Sequence, residues 1–178
     1  MPDVRVALVT LILAASSPFA LPASFATAAA KNPTPAQIQN AVASAERSRS
    51  LWATVHICDT KRFLNTIGVR GQMPALGFSS SMFMNLQIEF FNKTKKQFLP
   101  IPKASMKIPL GKVTTGLQQG GATFAFKRHT GLLSATIQFE WVRGGKVLGS
   151  TTRRTTGGHK GADFGDPPHF SAPQCRIR

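Results

Sequence analysis

Four side chains near the C-terminus, His159, Asp163, Asp166 and His169, follow an H-x3-D-x2-D-x2-H spacing, and each is a legitimate ligand for zinc or another divalent ion. A divalent-metal hydrolase built on residues 159–169 is therefore one reading of this stretch. Glycines and the Pro167-Pro168 pair interrupt the string, however, so no helix or strand sets the four groups on one face. A metal site needs ligands that are held and oriented by a second layer of hydrogen bonds. In the competing reading, Gly157-Gly158 and Gly165 supply turns, Asp166-Pro167 begins another, and the segment is a polar connection that delivers Cys175 to a terminal strand. That reading assigns no metal and no cofactor.

Other chemistries find less material. A hydrolytic triad can be assembled from distant positions, but no G-x-S-x-G elbow is present to present a serine. His56 shares a strand side with Trp52, Thr54 and Cys58, which places it as packing beside the cysteine, and His129 sits in a "KRHTG" turn. Glu89 and Glu140 fall at solvent-side positions, where cross-strand pairing with a base is the default. The expectation is a protein that is not an enzyme. The stretch "FFNKTKKQF" at 90–98 reads as a hairpin tip carrying Lys93, Lys95 and Lys96 between aromatic flanks. With Arg153 and Arg154 these lysines are the candidate contacts of a carbohydrate- or polyanion-binding module. Against display, Phe90 has core parity, and 13 phenylalanines with no tyrosine suit filling better than recognition. The other bases are scattered, and no groove-reading helix or aromatic-basic strand signature accompanies them, so no specific nucleic-acid recognition is expected.

Compartment and charge set the frame for these residues. Arg5 followed by "VALVTLILAA" and by A-x-A sites up to Ala30 describes a secretory signal peptide over residues 1–30. The apolar run is too short for a spanning helix, which takes about 20 residues, so no transmembrane segment is expected in the mature chain. The 178 residues carry 22 bases against seven acids, a formal charge of +15, and loss of residues 1–30 removes one of each. Such a surplus concentrates polyanions near the surface. The expected partners are an anionic polymer of the cell envelope or another protein, and the expected location is secreted or envelope-associated. In an exported chain the two cysteines, Cys58 and Cys175, pair as a disulfide joining the first and last strands.

The elements follow from periodicity. Residues 31–50 form a helical or flexible tether, with Thr34 capping, Pro35 at the first helical position and Gln37 completing a capping box for a helix over 35–47. From Leu51 the period becomes two. In "FMNLQIEFF", Met84, Leu86 and Ile88 oppose Asn85, Gln87 and Glu89, and "SATIQFEWV" sets Ala135, Ile137, Phe139 and Trp141 against Ser134, Thr136, Gln138 and Glu140. "RGGKV" is a two-residue hairpin turn. Separate strands are expected at 96–101 and within 104–116, another at 122–128, and a last one at 172–177; Pro100, Pro102 and Pro109 mark the middle region as an edge.

The spacing predicts an all-β chain, an antiparallel sandwich of seven to eight strands over 51–178. The stretches "SLWATVHICDT", "TIQFEWVRGGKVL" and "GHKGADFGDPPHFSAPQCRI" resemble exported bacterial immunoglobulin-like sandwich domains of unassigned function. The resemblance implies a sandwich with a binding role and transfers no catalytic residue. The combined expectation is a secreted, non-catalytic structural or interaction module.

Overall fold

The change of period at residue 50 marks the boundary between one helix and a sandwich of strands. A computed structural model describes residues 32–127 and 131–178; the export signal expected over 1–30 and the turn around His129 lie outside the described residues. Thr34 caps helix α1 (Pro35–Arg47): its hydroxyl accepts from the Gln37 amide at 3.3 Å, and its own amide donates to Gln37 Oε1 at 2.8 Å. Eight strands follow: β1 (Trp52–Cys58), β2 (Thr66–Pro74), β3 (Ser80–Asn92), β4 (Gln97–Val113), β5 (Leu117–Ala125), β6 (Gly131–Arg143), β7 (Lys146–Arg154) and β8 (Cys175–Ile177).

The strands form two antiparallel sheets. One has the order β1-β2-β5; the other runs β4-β3-β6-β7, with β8 also on β6. Leu133 pairs with Phe90 of β3 on one side and with Cys175 of β8 on the other, so β8 continues the β7 edge of β6. The alternation read from sequence sets the core directly. Met84 faces Phe139, Leu86 faces Ile137 and Ile88 faces Ala135 across the β3–β6 ladder, and all six are buried. Val55, Ile67, Val69 and Met73 close the core from the opposite sheet. Each large apolar side chain taken fully out of water there contributes about 1.5–3 kcal/mol.

Three local features differ from the periodicity reading. The two expected strands at 96–101 and 104–116 are one edge strand, β4, whose ladder to β3 skips between Ser105 and Pro100. Gln87 Nε2 donates to the carbonyls of Ile101 and Ala104 at 2.9 and 3.2 Å, which satisfies the backbone where Pro102 and Lys103 leave the ladder. β5 begins at Leu117 rather than at 122, because its partner is β2 along its whole length and the Gly120-Gly121 pair is tolerated within that ladder. β8 is only three residues long; upstream of it the chain touches β1 instead, through a bridge from Ala172 to Val55.

The Gly144-Gly145 turn, with φ of 56° and 76°, returns β6 into β7 as the dipeptide requires. Helix α1, read as a tether, packs on β7: Val42 and Ala45 are buried, and a Cβ at Gly149 would lie 2.2 Å from Val42 Cγ1. Arg153 holds the last turn of the helix by donating to the Glu46 carbonyl at 2.6 Å.

Candidate functional site

The segment that carries the ligand-like residues is fastened to β1. Cys58 at the end of β1 is bonded to Cys175 at the start of β8, with Cα atoms 5.2 Å apart, so the disulfide joins the first and last strands. Upstream, Thr156 donates its amide to Ala53 O at 2.8 Å, Val55 and Ala172 exchange two bonds of 3.0 Å, and Asp166 donates to His56 O at 2.9 Å. These bonds occupy the edge of β1 that β2 leaves open. Its outward side chains are covered as well: Trp52 stacks on His159 at 4.8 Å, and Thr54 Oγ1 lies 2.7 Å from Ser171 Oγ.

Within this arrangement the four candidate ligands are dispersed. His159 Nε2 is 2.8 Å from Thr156 Oγ1 and its ring covers Trp52; burial lowers its pKa. Asp163 is anchored through its amide to Gln119 Oε1 at 3.1 Å, Asp166 Oδ2 accepts from Thr60 Oγ1 at 2.6 Å, and His169 Nδ1 lies 3.1 Å from Lys160 O. Among the described residues no group of three or more His, Cys, Asp or Glu side chains is placed to hold a metal ion. The physical reason is the one visible in the glycines and prolines: each turn sends its side chain to a different neighbour.

His56 lies under the same cover and is 2% exposed. Its pKa is lowered to about 4, by burial first and then by the charge of Arg70, while a hydrogen bond with the Gly68 backbone works in the opposite direction. The imidazole is neutral at pH 7, with one donor and one acceptor nitrogen.

At the end of the sandwich where the β3–β4 hairpin meets β8 there is a groove of about 820 Å³. Phe90, Ile101 and Leu132 supply apolar walls; Lys93, Arg176 and Arg178 stand around them, and among the described residues none of the lining is acidic. Phe90 keeps its parity and pairs with the buried core residue Leu133, but its own ring is 37% exposed and lines the groove rather than filling the interior. Lys93, Lys95 and Lys96 are all exposed at the tip, where the Lys95 amide donates to Asn92 Oδ1 at 2.8 Å, and of the three Lys93 reaches the groove.

The two arginines grouped with those lysines go elsewhere. Arg153 binds helix α1, and Arg154 forms an ion pair with Glu89 while lying 5.1 Å above the Phe98 ring. Glu89, read as solvent-facing, is buried at 9% exposure because Arg154 and the tip aromatics fold over it; Glu140 keeps its solvent side with Lys107 at 3.9 Å. Arg176 and Arg178, read as two of many scattered bases, are brought to the groove by β8. The disulfide, the short ladder to β6 and a 3.1 Å bond from the Arg178 amide to Asp59 Oδ2 put them there, and their spacing in sequence carries no signal of it.

No helix among the described residues is long and apolar enough to cross a membrane. No protein-family model and no curated protein matches the chain. Among solved structures, a candidate β-galactosidase from Bacteroides fragilis is similar over 61% of this chain and 16% of its own length, at 12% identity and a TM-score of 0.33, so the chain spans a small part of that protein and the likeness assigns neither fold nor activity.

Proposed function

We propose that this chain is a secreted, non-catalytic interaction module with an immunoglobulin-like sandwich, and that it attaches to an anionic polymer of the cell envelope through the groove between the β3–β4 tip and β8. The strand order supports the immunoglobulin-like reading: the first, second and fifth strands in one sheet, and the fourth, third, sixth and seventh in the other, follow the seven-strand arrangement of such domains with the fourth strand on the edge of the second sheet instead of the first. The bridge from β1 to β8 departs from the central inter-sheet bridge of antibody domains. A disulfide that closes most of the chain suits an oxidising compartment.

The observation that carries the binding reading is the groove lining, with three bases, apolar walls and no acid among the described residues. A net charge of +15 draws a polyanion toward the surface, and the groove supplies a place where cationic heads and apolar contacts coincide. The tip lysines extend the cationic rim. The test is retention on purified envelope polymer across a salt series. Binding should weaken as ionic strength rises from low to physiological, and Lys93→Ala with Arg176→Ala should reduce it more than Lys146→Ala, which alters charge far from the groove. Retention that ignores salt, or that the three substitutions lower equally, overturns the assignment of the groove.

A further inference from the structure

Apart from Gly131, every described side chain that lines the groove is either apolar or cationic. No serine, threonine, asparagine, glutamine, tyrosine, tryptophan or histidine stands on that lining. Its backbone is engaged as well. Phe90 and Phe91 pair with Leu99 and Phe98 of β4, Gly131, Leu132 and Leu133 pair with β8, and the Ile101 carbonyl accepts from Gln87 Nε2 at 2.9 Å. Lysine and arginine heads donate and never accept. A hydroxyl or amide carried into the groove would lose its water and find no side-chain acceptor for its own hydrogen, a cost comparable to a lost hydrogen bond. Sugar rings and peptide backbones are poorly suited to its interior on that ground.

Hydrocarbon suits it. Leu133 and Ile177 on the lining are members of the core, 6% and 1% exposed, so a chain laid against them extends the packed interior. Phe126, just past the end of β5, joins the lining from the side of the other sheet. The volume of about 820 Å³ lies in the range, about 300–1,000 Å³, of pockets that enclose a small ligand. Lys93, Arg176 and Arg178 are all exposed, and no acid among the described residues pairs with their side chains. The acid that touches this corner, Asp59, uses its two oxygens on the Asn65 and Arg178 amides, at 2.7 and 3.1 Å. A second copy of this chain, at +15, would bring like charge to those three bases.

We propose that the groove holds the acyl chain of an anionic lipid, with the chain against Phe90, Leu132 and Ile177 and the anionic head among Lys93, Arg176 and Arg178. The inference rests on the reading of this groove as the attachment site and names the part of the envelope polymer that enters it, the lipid end, while the polymer itself lies along the cationic rim.

The test is titration of the full chain with hexyl, octyl, decyl and dodecyl phosphate, each below its micelle concentration, followed by calorimetry and by the methyl resonances of Leu132 and Ile177. Each added methylene should tighten binding about fourfold until the groove is full, and dodecyltrimethylammonium should bind about tenfold more weakly than dodecyl phosphate. Phe90→Ala should weaken dodecyl phosphate about tenfold and leave inorganic polyphosphate unaffected. Lys93→Ala with Arg176→Ala, which replaces exposed side chains and keeps the fold, should weaken every alkyl phosphate by one common factor and preserve the gain per methylene. An affinity that ignores chain length, or equal binding of the phosphate and the ammonium, overturns the inference. So does dodecyl phosphate binding that survives Phe90→Ala unchanged, or binding to vesicles containing phosphatidylglycerol with no binding of any monomer, which would assign the face to a bilayer surface. Polyphosphate separates the acyl site from attachment to the polymer. Salt-sensitive binding of polyphosphate with no alkyl phosphate bound overturns the acyl site and leaves polymer attachment standing; dodecyl phosphate bound with polyphosphate ignored does the reverse; binding of neither overturns both.

Discussion

The C-terminal segment and the β3–β4 tip solve opposite problems. Residues 156–172 lie against β1 and have most of their polar groups paired with it or with one another, from Thr156 on Ala53 to Ala172 on Val55. The 90–98 tip, which the same alternating pattern of β3 runs into, stays open: Lys93, Lys95 and Lys96 are exposed, and Phe90 lines a groove. A cluster of ligand-type side chains thus turns out to be fastening, whereas a run of solvated lysines borders a cleft. Residue type proposes chemistry, but a side chain's partners decide whether it is free to perform any.

The strongest way to break this contrast is to release the fastened region. Cys58→Ala with Cys175→Ala removes a bridge across 117 residues. Loop-closure entropy then predicts a loss of about 5 kcal/mol, read as a lower midpoint in denaturant, with the 156–172 amides losing hydrogen-exchange protection first. The tip amides should change least; uniform loss of protection would show that the two regions are not independent.

Acid tests the same cover by charge. The folded pKa of His56 is about 4 against 6.5 for the free side chain, so between those values the unfolded chain binds more protons and stability rises with pH. Stability should be complete above about pH 6.5 and should fall by up to about 3 kcal/mol as the pH drops through that window. His159, lowered by burial, acts in the same direction. Urea midpoints measured from pH 4 to 7 check the slope, and a flat profile would mean that water reaches the imidazole.

Trp52→Ala removes the ring on which His159 stacks and should cost about 2–3 kcal/mol, since Trp52 sits at the margin of the core with 8% exposure. Calorimetric unfolding measures it, and the loss should be smaller in the reduced protein, where the segment is already loose. The smallest effect belongs to the open region. Glu89→Gln leaves Arg154 without its partner, but that guanidinium is 46% exposed and screened, so the expected cost is about 1 kcal/mol or less. A larger loss in a denaturant titration would show that the tip is held as tightly as the cover.

Much of the frame was legible in the residues. The capping box at Thr34 and Gln37, the Gly144-Gly145 turn, the inward parity of Met84, Leu86 and Ile88, and the edge position marked by Pro100, Pro102 and Pro109 all rest on local rules, in which a residue's conformational preference or its neighbour two positions away settles the outcome. The sites were less legible, and for a common reason. Arg176 and Arg178 reach Lys93 because a disulfide places β8 beside β6, and His159 comes over Trp52 because the C-terminal segment folds across β1.

The same division runs through the whole molecule. Composition, alternation and the two cysteines determined by themselves a basic, all-β sandwich clasped from first strand to last, because periodicity and covalent reactivity are properties of residues in order. Which edge β8 extends, what covers His56, and which bases share a groove were decided only by tertiary structure. Those outcomes depend on contacts between positions far apart in sequence, where burial and partner choice, rather than residue type, set charge state and accessibility.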